Sequence, residues 1–247
     1  MIYLLAPAYN EAANLPLLFE SLKKTLKSSY RSIIVSDGSV DRTLEVARNL
    51  SRKYPIIPLG YQKNKGPGYA FNYGINHFLK ISKTNDVLVT IEADNSSDLS
   101  VLKKMIYLLK HYDVVVASPF EKGGKFVNVS LHRQFLSHGY QIFLSAIFRI
   151  KGANSYGNFF RTYKREILAK AYRLYGNSLI TEEGFSCSAE LLIKLYKIGA
   201  KITSMSSSID WTKKKGKSKM KIFKYIRRQF VFILKFWLLS KFYLKSK

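Results

Sequence analysis

The chain has 247 residues, 41 basic against 16 acidic, for a formal charge of +25. That length suits one large domain or a domain with an appended segment, and 47% hydrophobic residues exclude wholesale disorder. The charge points to a polyanionic partner (nucleic acid, phosphorylated substrate or anionic lipid surface), and the lone cysteine, Cys187, excludes an intramolecular disulfide.

Ile2–Ala6 opens the chain as a short apolar strand; without a basic n-region it does not read as a signal peptide. Glu11–Lys24 has helical spacing through Leu15, Leu18 and Leu22, and Ser32–Val35 is a second short apolar run. Asp41–Tyr54 reads as a helix capped by Asp41, Ile56–Tyr61 as a strand, and Gly68–Ile81 as a helix. Asp86–Ile91 is a strand, Leu99–Leu109 a helix with Asp98 as its cap, and Val114–Ala117 a strand. This alternation implies βαβ units, an α/β fold with a mostly parallel, Rossmann-like sheet flanked by helices, and ligands beyond the carboxyl ends of the strands. The second half is less regular: Leu131–Phe148 is helical, Asn158–Tyr163 a strand, Glu190–Ile198 a helix closed by Gly199, and Lys201–Ile209 β-like.

Three polar segments fall at the expected ligand edge. "TIEADNSSD" places Glu92 and Asp94 two apart at a strand end, where alternate side chains share a face. Such a pair suits Mg²⁺ or Mn²⁺, or else forms a solvated strand end. "SDGSVDRT" puts Asp37 before a tight turn, as an acceptor for a base or ribose or as part of an ordinary turn. "NKGPGYAFNYGI" sets Gly66, Gly68 and Lys65 at a helix start, as an anion cradle or a plain loop.

No Asp or Glu follows Asp210. Beyond it, Ile222, Ile226, Ile233, Trp237 and Leu244 share one helical face, with Lys224, Arg228 and Lys235 nearly opposite. This amphipathic basic helix lies on a membrane interface or packs on the protein's own core. Its most apolar stretch, Phe230–Leu244, is interrupted by Lys235 and Lys241, so no run reaches the ~18 residues of a spanning helix. Basic residues concentrated in this tail, rather than along a groove with aromatic platforms, argue against nucleic acid.

Taken together, "PAYNE", "SDGSVDRT", "NKGPGYAFNYG" and the acidic pair, in this order after successive strands, resemble family 2 glycosyltransferases with the GT-A fold. "ASPFEKGG", "LHRQFLSHG", "FFRTYKREIL", "GFSCSAELLIKLYKIGAKI" and "KKKGKSK" narrow the resemblance to the polyprenyl-phosphate sugar transferases, over about residues 1–220. The resemblance implies a GT-A domain over residues 1–220, and the polyprenyl acceptor it implies, which lives in the bilayer, adds weight to reading the amphipathic residues 221–247 as a membrane-interfacial helix. The implied enzyme is a metal-dependent, inverting hexosyltransferase on the cytoplasmic side of a membrane. It would use a GDP- or UDP-sugar donor, a polyprenyl phosphate acceptor and an anionic membrane surface. Alternatives are a sugar hydroxyl or protein acceptor, with Glu182 or Glu183 as base, and a non-catalytic basic membrane or nucleic-acid binder.

Carried onto this sequence, the resemblance has Pro7, Ala8, Tyr9 and Glu11 lining the nucleotide pocket, Asp37 binding the base and Gly68 beside it. Glu92 and Asp94 hold the metal, and Ser96 stands next to them in place of a Gln. Arg133 approaches the acceptor phosphate, and Lys213, Ser218 and Lys219 form a mobile basic loop over the diphosphate or the acceptor. Glu92 replaces the family's first Asp, Pro119 an Arg, and Lys213 an Arg, so that a planar fork becomes a point charge.

Overall fold

The computed structural model describes residues 1–27 and 30–216. The strands are β1 (Ile2–Ala8), β2 (Tyr30–Asp37), β3 (Ile56–Tyr61), β4 (Val87–Thr90), β5 (Val114–Ser118), β6 (Lys125–Val127), β7 (Arg161–Lys164), β8 (Ile202–Ser206) and β9 (Ser208–Asp210). The helices are α1 (Leu15–Leu26), α2 (Thr43–Leu50), α3 (Pro67–Ile81), α4 (Leu102–Leu108), α5 (Leu131–Phe148), α6 (Arg165–Tyr175) and α7 (Cys187–Lys197). Seven strands form the main sheet in the order β3-β2-β1-β4-β7-β5-β8, and β6 pairs with β9 in a small second sheet. All pairs in the main sheet are parallel except those of β7, which runs antiparallel between β4 and β5.

The short apolar runs become strands because both faces are covered. Along β1, Leu5 joins Ile33, Val35, Leu88 and Val116 in a core beneath α3, α6 and α7, while Leu4 and Ala6 join Ile34, Val89 and Val115 beneath α1, α2 and α4. A strand buried on both faces reads as continuous rather than alternating, as these do. At about 1.5–3 kcal/mol for each fully buried large side chain, these two layers supply the main stabilisation. The reversal from β1-β2-β3 on one side to β4 on the other creates a switch point beyond Ala8 and Thr90.

The GT-A-like α/β fold expected from the sequence is present. Several boundaries moved for local reasons. α1 starts at Leu15, not Glu11, because residues 11–14 form turns in which Glu11 O accepts from Asn14 and Leu15 N–H. Asp98 caps as expected, but over a 3-10 turn, Leu99–Val101, that precedes α4. Lys201–Ile209 splits into β8 and β9 around the buried Ser207, whose N–H donates to Ser118 O. α6 was not anticipated, although Ile167, Leu168 and Ala171 give it a buried stripe. Ser218, Lys219 and the expected helix over residues 221–247 lie outside the described residues. No helix among the described residues is long and apolar enough to cross a membrane.

Candidate active site

The register sets Pro7 against Val35 and Ala8 against Ser36, so Tyr9 leaves β1 level with Asp37. The two loops are stitched together. Asn10 Oδ1 accepts from the N–H groups of Val40 (2.9 Å) and Asp41 (3.3 Å), and Glu11 N–H donates to Thr43 Oγ1 at 2.8 Å. Asp37, only 3% exposed, is held in place: Oδ1 accepts from Tyr61 OH (2.9 Å) and Lys65 N–H (2.8 Å), and Oδ2 from Asn64 Nδ2 (3.0 Å). Gly38 is required here, since it has φ +58° and an added Cβ would lie 2.2 Å from Asn64 N. Burial and the Asp37 carboxylate push the Tyr61 phenol up, so it stays a neutral donor.

The start of α3, a candidate anion cradle by sequence, is closed from within. Gly68 N–H donates to Glu183 O at 3.0 Å, and a Cβ on Gly68 would meet Glu182 O at 1.7 Å. Two amides of this turn are thus taken, that of Gly68 by a protein carbonyl and that of Lys65 by Asp37. Lys65 instead lies over the Tyr69 ring, 4.2 Å from its centroid.

Glu92 and Asp94 follow β4 at the switch point. Glu92 accepts from the Ser97 hydroxyl, and from Phe159 N–H at 3.3 Å. Burial and the neighbouring Asp94 charge push its carboxyl above the usual range. Asp94 Oδ1 accepts from Ser96 Oγ (2.6 Å) and Ser96 N–H (3.1 Å), while Oδ2 accepts from Lys214 Nζ at 2.5 Å. A cation therefore already sits on Asp94. Among the described residues no three His, Cys, Asp or Glu side chains cluster as a complete ligand set. Two carboxylates that repel each other, one of them countered by the Lys214 ammonium, have the chemistry to hold a hard divalent ion completed by water and phosphate oxygens.

A basic strap, residues 207–216, crosses these carboxylates. Asp210 N–H donates to Ser96 O at 2.9 Å, Ile209 bridges to Ser97, and Lys215 N–H donates to Asn14 Oδ1 at 2.8 Å. Trp211 on the strap lies under the Arg133 guanidinium at 5.0 Å and the Lys214 ammonium at 5.4 Å. Arg133, in the first turn of α5, is thus brought to the same edge as Asp94.

Of the residues expected from the sequence, Pro7, Ala8, Tyr9, Glu11, Asp37, Gly68, Glu92, Asp94 and Ser96 all fall along one edge of the sheet, with Arg133 linked to it through Trp211. Lys213 faces elsewhere, pairing with Asp210 at 3.5 Å, and its neighbour Lys214 reaches Asp94 instead. Asn14, Trp211 and Lys214 were not singled out in the sequence. The adjacent lysines 213–215 offered no signal for choosing among them, and Asn14 sat in a segment expected to be helix.

A family model described as glycosyl transferase family 2 matches residues 3–181. A dolichol-phosphate mannosyltransferase of Pyrococcus furiosus is 34% identical over 140 residues, covering 56% of this chain and 38% of that protein. A dolichyl-phosphate beta-glucosyltransferase of Trichomonas vaginalis is 28% identical over 234 residues, covering 89% of this chain and 68% of that one. The chain thus spans well under half of the first relative's length and about two thirds of the second's. Among solved structures, glucosyl-3-phosphoglycerate synthase of Mycobacterium tuberculosis, with Mn²⁺, UDP-glucose and phosphoglyceric acid, superposes with a TM-score of 0.66 at 15% identity. That alignment covers 97% of this chain and 79% of the other, and it speaks to the fold alone.

Proposed function

The chain belongs to glycosyl transferase family 2, and from that membership we propose that it moves a hexose from a nucleoside-diphosphate sugar to a polyprenyl phosphate at a membrane surface. The observation that carries this reading is the gathering of Glu92, Asp94 and a basic strap beyond β4, beside the Asp37 pocket. The two dolichyl-type relatives support a lipid phosphate acceptor, and the Mn²⁺ in a fold neighbour supports a divalent ion, Mg²⁺ or Mn²⁺.

Asp37, held by Tyr61, Lys65 and Asn64, keeps about one lone-pair direction, on Oδ2, for a base or ribose hydroxyl of a UDP or GDP donor. Glu92 and Asp94 would hold the ion, which when bound neutralises charge developing on the leaving diphosphate. Arg133 adds positive charge on the acceptor side. An acceptor phosphate is anionic near neutral pH and attacks the anomeric carbon with inversion without a general base. The histidines fit that economy: His138, for example, bonds Gln134 O at 2.8 Å and packs on Phe120 and Phe126 rather than facing the carboxylates.

α5 supports the membrane part. Leu131, Phe135 and Ile142 are 81, 79 and 68% exposed on a helix with no acidic residue. The whole segment from Lys122 to Arg165 contains no Asp or Glu. A large apolar face in a basic setting, with Arg133 beside it, suits the surface of an anionic bilayer. Replacing both Phe135 and Ile142 with Glu is expected to release the protein from phosphatidylglycerol-containing liposomes in co-sedimentation, with the melting temperature unchanged. Binding at the wild-type level would remove α5 from the membrane contact.

The function itself is tested with radiolabelled UDP- and GDP-hexoses, a polyprenyl phosphate and Mn²⁺. The expected product partitions into organic solvent and releases sugar on mild acid. A labelled product that stays in water would favour a hydroxyl acceptor, and no product with any donor would sink the assignment.

A further inference from the structure

We infer that Lys214 is a built-in counter-cation of Asp94, and that it and a divalent ion occupy Asp94 in alternation, so that metal binding releases the strap. The inference rests on the metal-dependent reading above, and it concerns a residue that reading does not require.

The geometry shows a held lysine rather than a wandering one. Lys214 Nζ lies 2.5 Å from Asp94 Oδ2, and the two side chains are only 14 and 15% exposed. The backbone is fixed on both sides of it. Upstream, Asp210 N–H donates to Ser96 O at 2.9 Å, and the Asp210 carboxylate caps Thr212 N–H at 2.9 Å. Downstream, Asn14 grips Lys215 twice, accepting its N–H at 2.8 Å and donating to its carbonyl at 3.0 Å. Asn14 is itself 2% exposed, and it also donates to Glu11 Oε2 at 2.6 Å. One asparagine thus ties the strap to the loop after β1.

Asp94 has little capacity left in this state. Oδ1 serves Ser96 twice, and Oδ2 serves Lys214. A divalent ion entering at Oδ2 would meet an ammonium within about 4 Å in a partly dehydrated site, where like charges repel strongly. Only one of them stays. The departing Lys214 leaves with the strap, which carries the adjacent lysines 213–215, and this cationic run suits a diphosphate. The metal alone is therefore opposed by Lys214, whereas metal with a nucleoside diphosphate is aided by it. The sign of the lysine's effect on binding reverses with the nucleotide.

The test is Mn²⁺ binding by the full chain, with free Mn²⁺ read by electron paramagnetic resonance. Without nucleotide, Lys214→Met is expected to bind Mn²⁺ about tenfold more tightly than wild type, inside the usual range for coupled sites. Lys215→Met removes the same charge from the same strap without freeing Asp94 and should stay within about twofold. With UDP present, the advantage of Lys214→Met should vanish or reverse. Equal tightening in both lysine variants would mean a general charge effect and overturn the inference. So would unchanged affinity in Lys214→Met while Asp94→Asn loses the ion, an outcome that leaves the metal reading standing. Mn²⁺ binding by Asp94→Asn at the wild-type level would remove the metal reading and the inference together. A second readout needs no change at the site. In a Trp237→Phe background, Trp211, 5.4 Å from Lys214, should change its emission saturably as Mg²⁺ is added with UDP. A flat titration under conditions where Mn²⁺ binds would overturn strap release.

Discussion

Replacing Asp94 with Asn is expected to lower kcat/KM for glycosyl transfer by about 10²–10³-fold, the usual loss when one group stabilising developing charge is removed. The melting temperature should fall by about 2–8 °C, for a loss of roughly 1–2 kcal/mol, because the Lys214–Asp94 pair is only 14 and 15% exposed and the variant leaves an ammonium without its carboxylate. Asp94 bears this weight, rather than Glu92, for a reason visible in the site. The Glu92 carboxyl is pushed up by burial and by Asp94, and its oxygens are engaged by the Ser97 hydroxyl and Phe159 N–H. Asp94 is the carboxylate on which a cation already rests. Glu92→Gln keeps an acceptor for Phe159 and should cost about tenfold, as groups that orient a ligand do. Steady-state kinetics on both variants, with Mn²⁺ varied, checks the division. Equal losses, or a larger loss in Glu92→Gln, would contradict it.

The first half of the fold was legible because β1, β2, β4 and β5 are buried on both faces and the helices between them keep apolar stripes. Ile56–Tyr61 was bounded as observed, and Val114–Ala117 fell one residue short of β5. The donor side of the site was legible for the same reason: once the strands were found, the residues after them had to lie at one edge. What sequence could not supply was non-local. β7 enters antiparallel between β4 and β5, so that Arg161 pairs with Thr90 and Val116. Nothing in "FFRTYK" announces a direction. Glu190 looked like the start of an amphipathic helix, yet it is fully buried and accepts from Thr181 N–H and Oγ1, Glu182 N–H and Lys194 Nζ. Its role is to hold the loop whose carbonyls close the start of α3. The carboxylates of Glu182 and Glu183 drew attention in the sequence, but it was the loop's backbone that shaped the site. Lys213 and Lys214 differ only by the phase of a single 3-10 turn, set by the Asp210 cap on Thr212.

Arg161→Met is expected to destabilise the protein by about 3 kcal/mol or more, a fall in melting temperature of roughly 6–12 °C for a chain of this size. Arg161 is fully buried, and no carboxylate ion-pairs with it among the described residues. Its guanidinium instead donates to three main-chain carbonyls: Ser188 at 2.5 Å, Tyr156 at 2.6 Å and Ser155 at 3.4 Å. Two opposing effects must be weighed. Removing an unpaired buried charge is favourable, since its desolvation cost disappears. Against that, the carbonyls of Ser188 and Tyr156 would lose their short bonds to a charged donor, worth about 1.5–3 kcal/mol each, and Tyr156 O would keep only the Ser188 hydroxyl at 3.0 Å. The second effect wins because those carbonyls anchor the loop over residues 153–160, and the loss spreads. Phe159, on that loop, stacks on Phe71 with centroids 4.7 Å apart and gives its N–H to Glu92. Loosening the loop therefore reaches the paired carboxylates as well as the core. Arg161→Lys should fare little better, because one ammonium cannot span the carbonyls of α7 and of the loop as a planar fork does. Thermal and urea unfolding check the magnitude. An Arg161→Met protein melting within about 2 °C of wild type would show that relief of the buried charge outweighs the carbonyls it leaves behind.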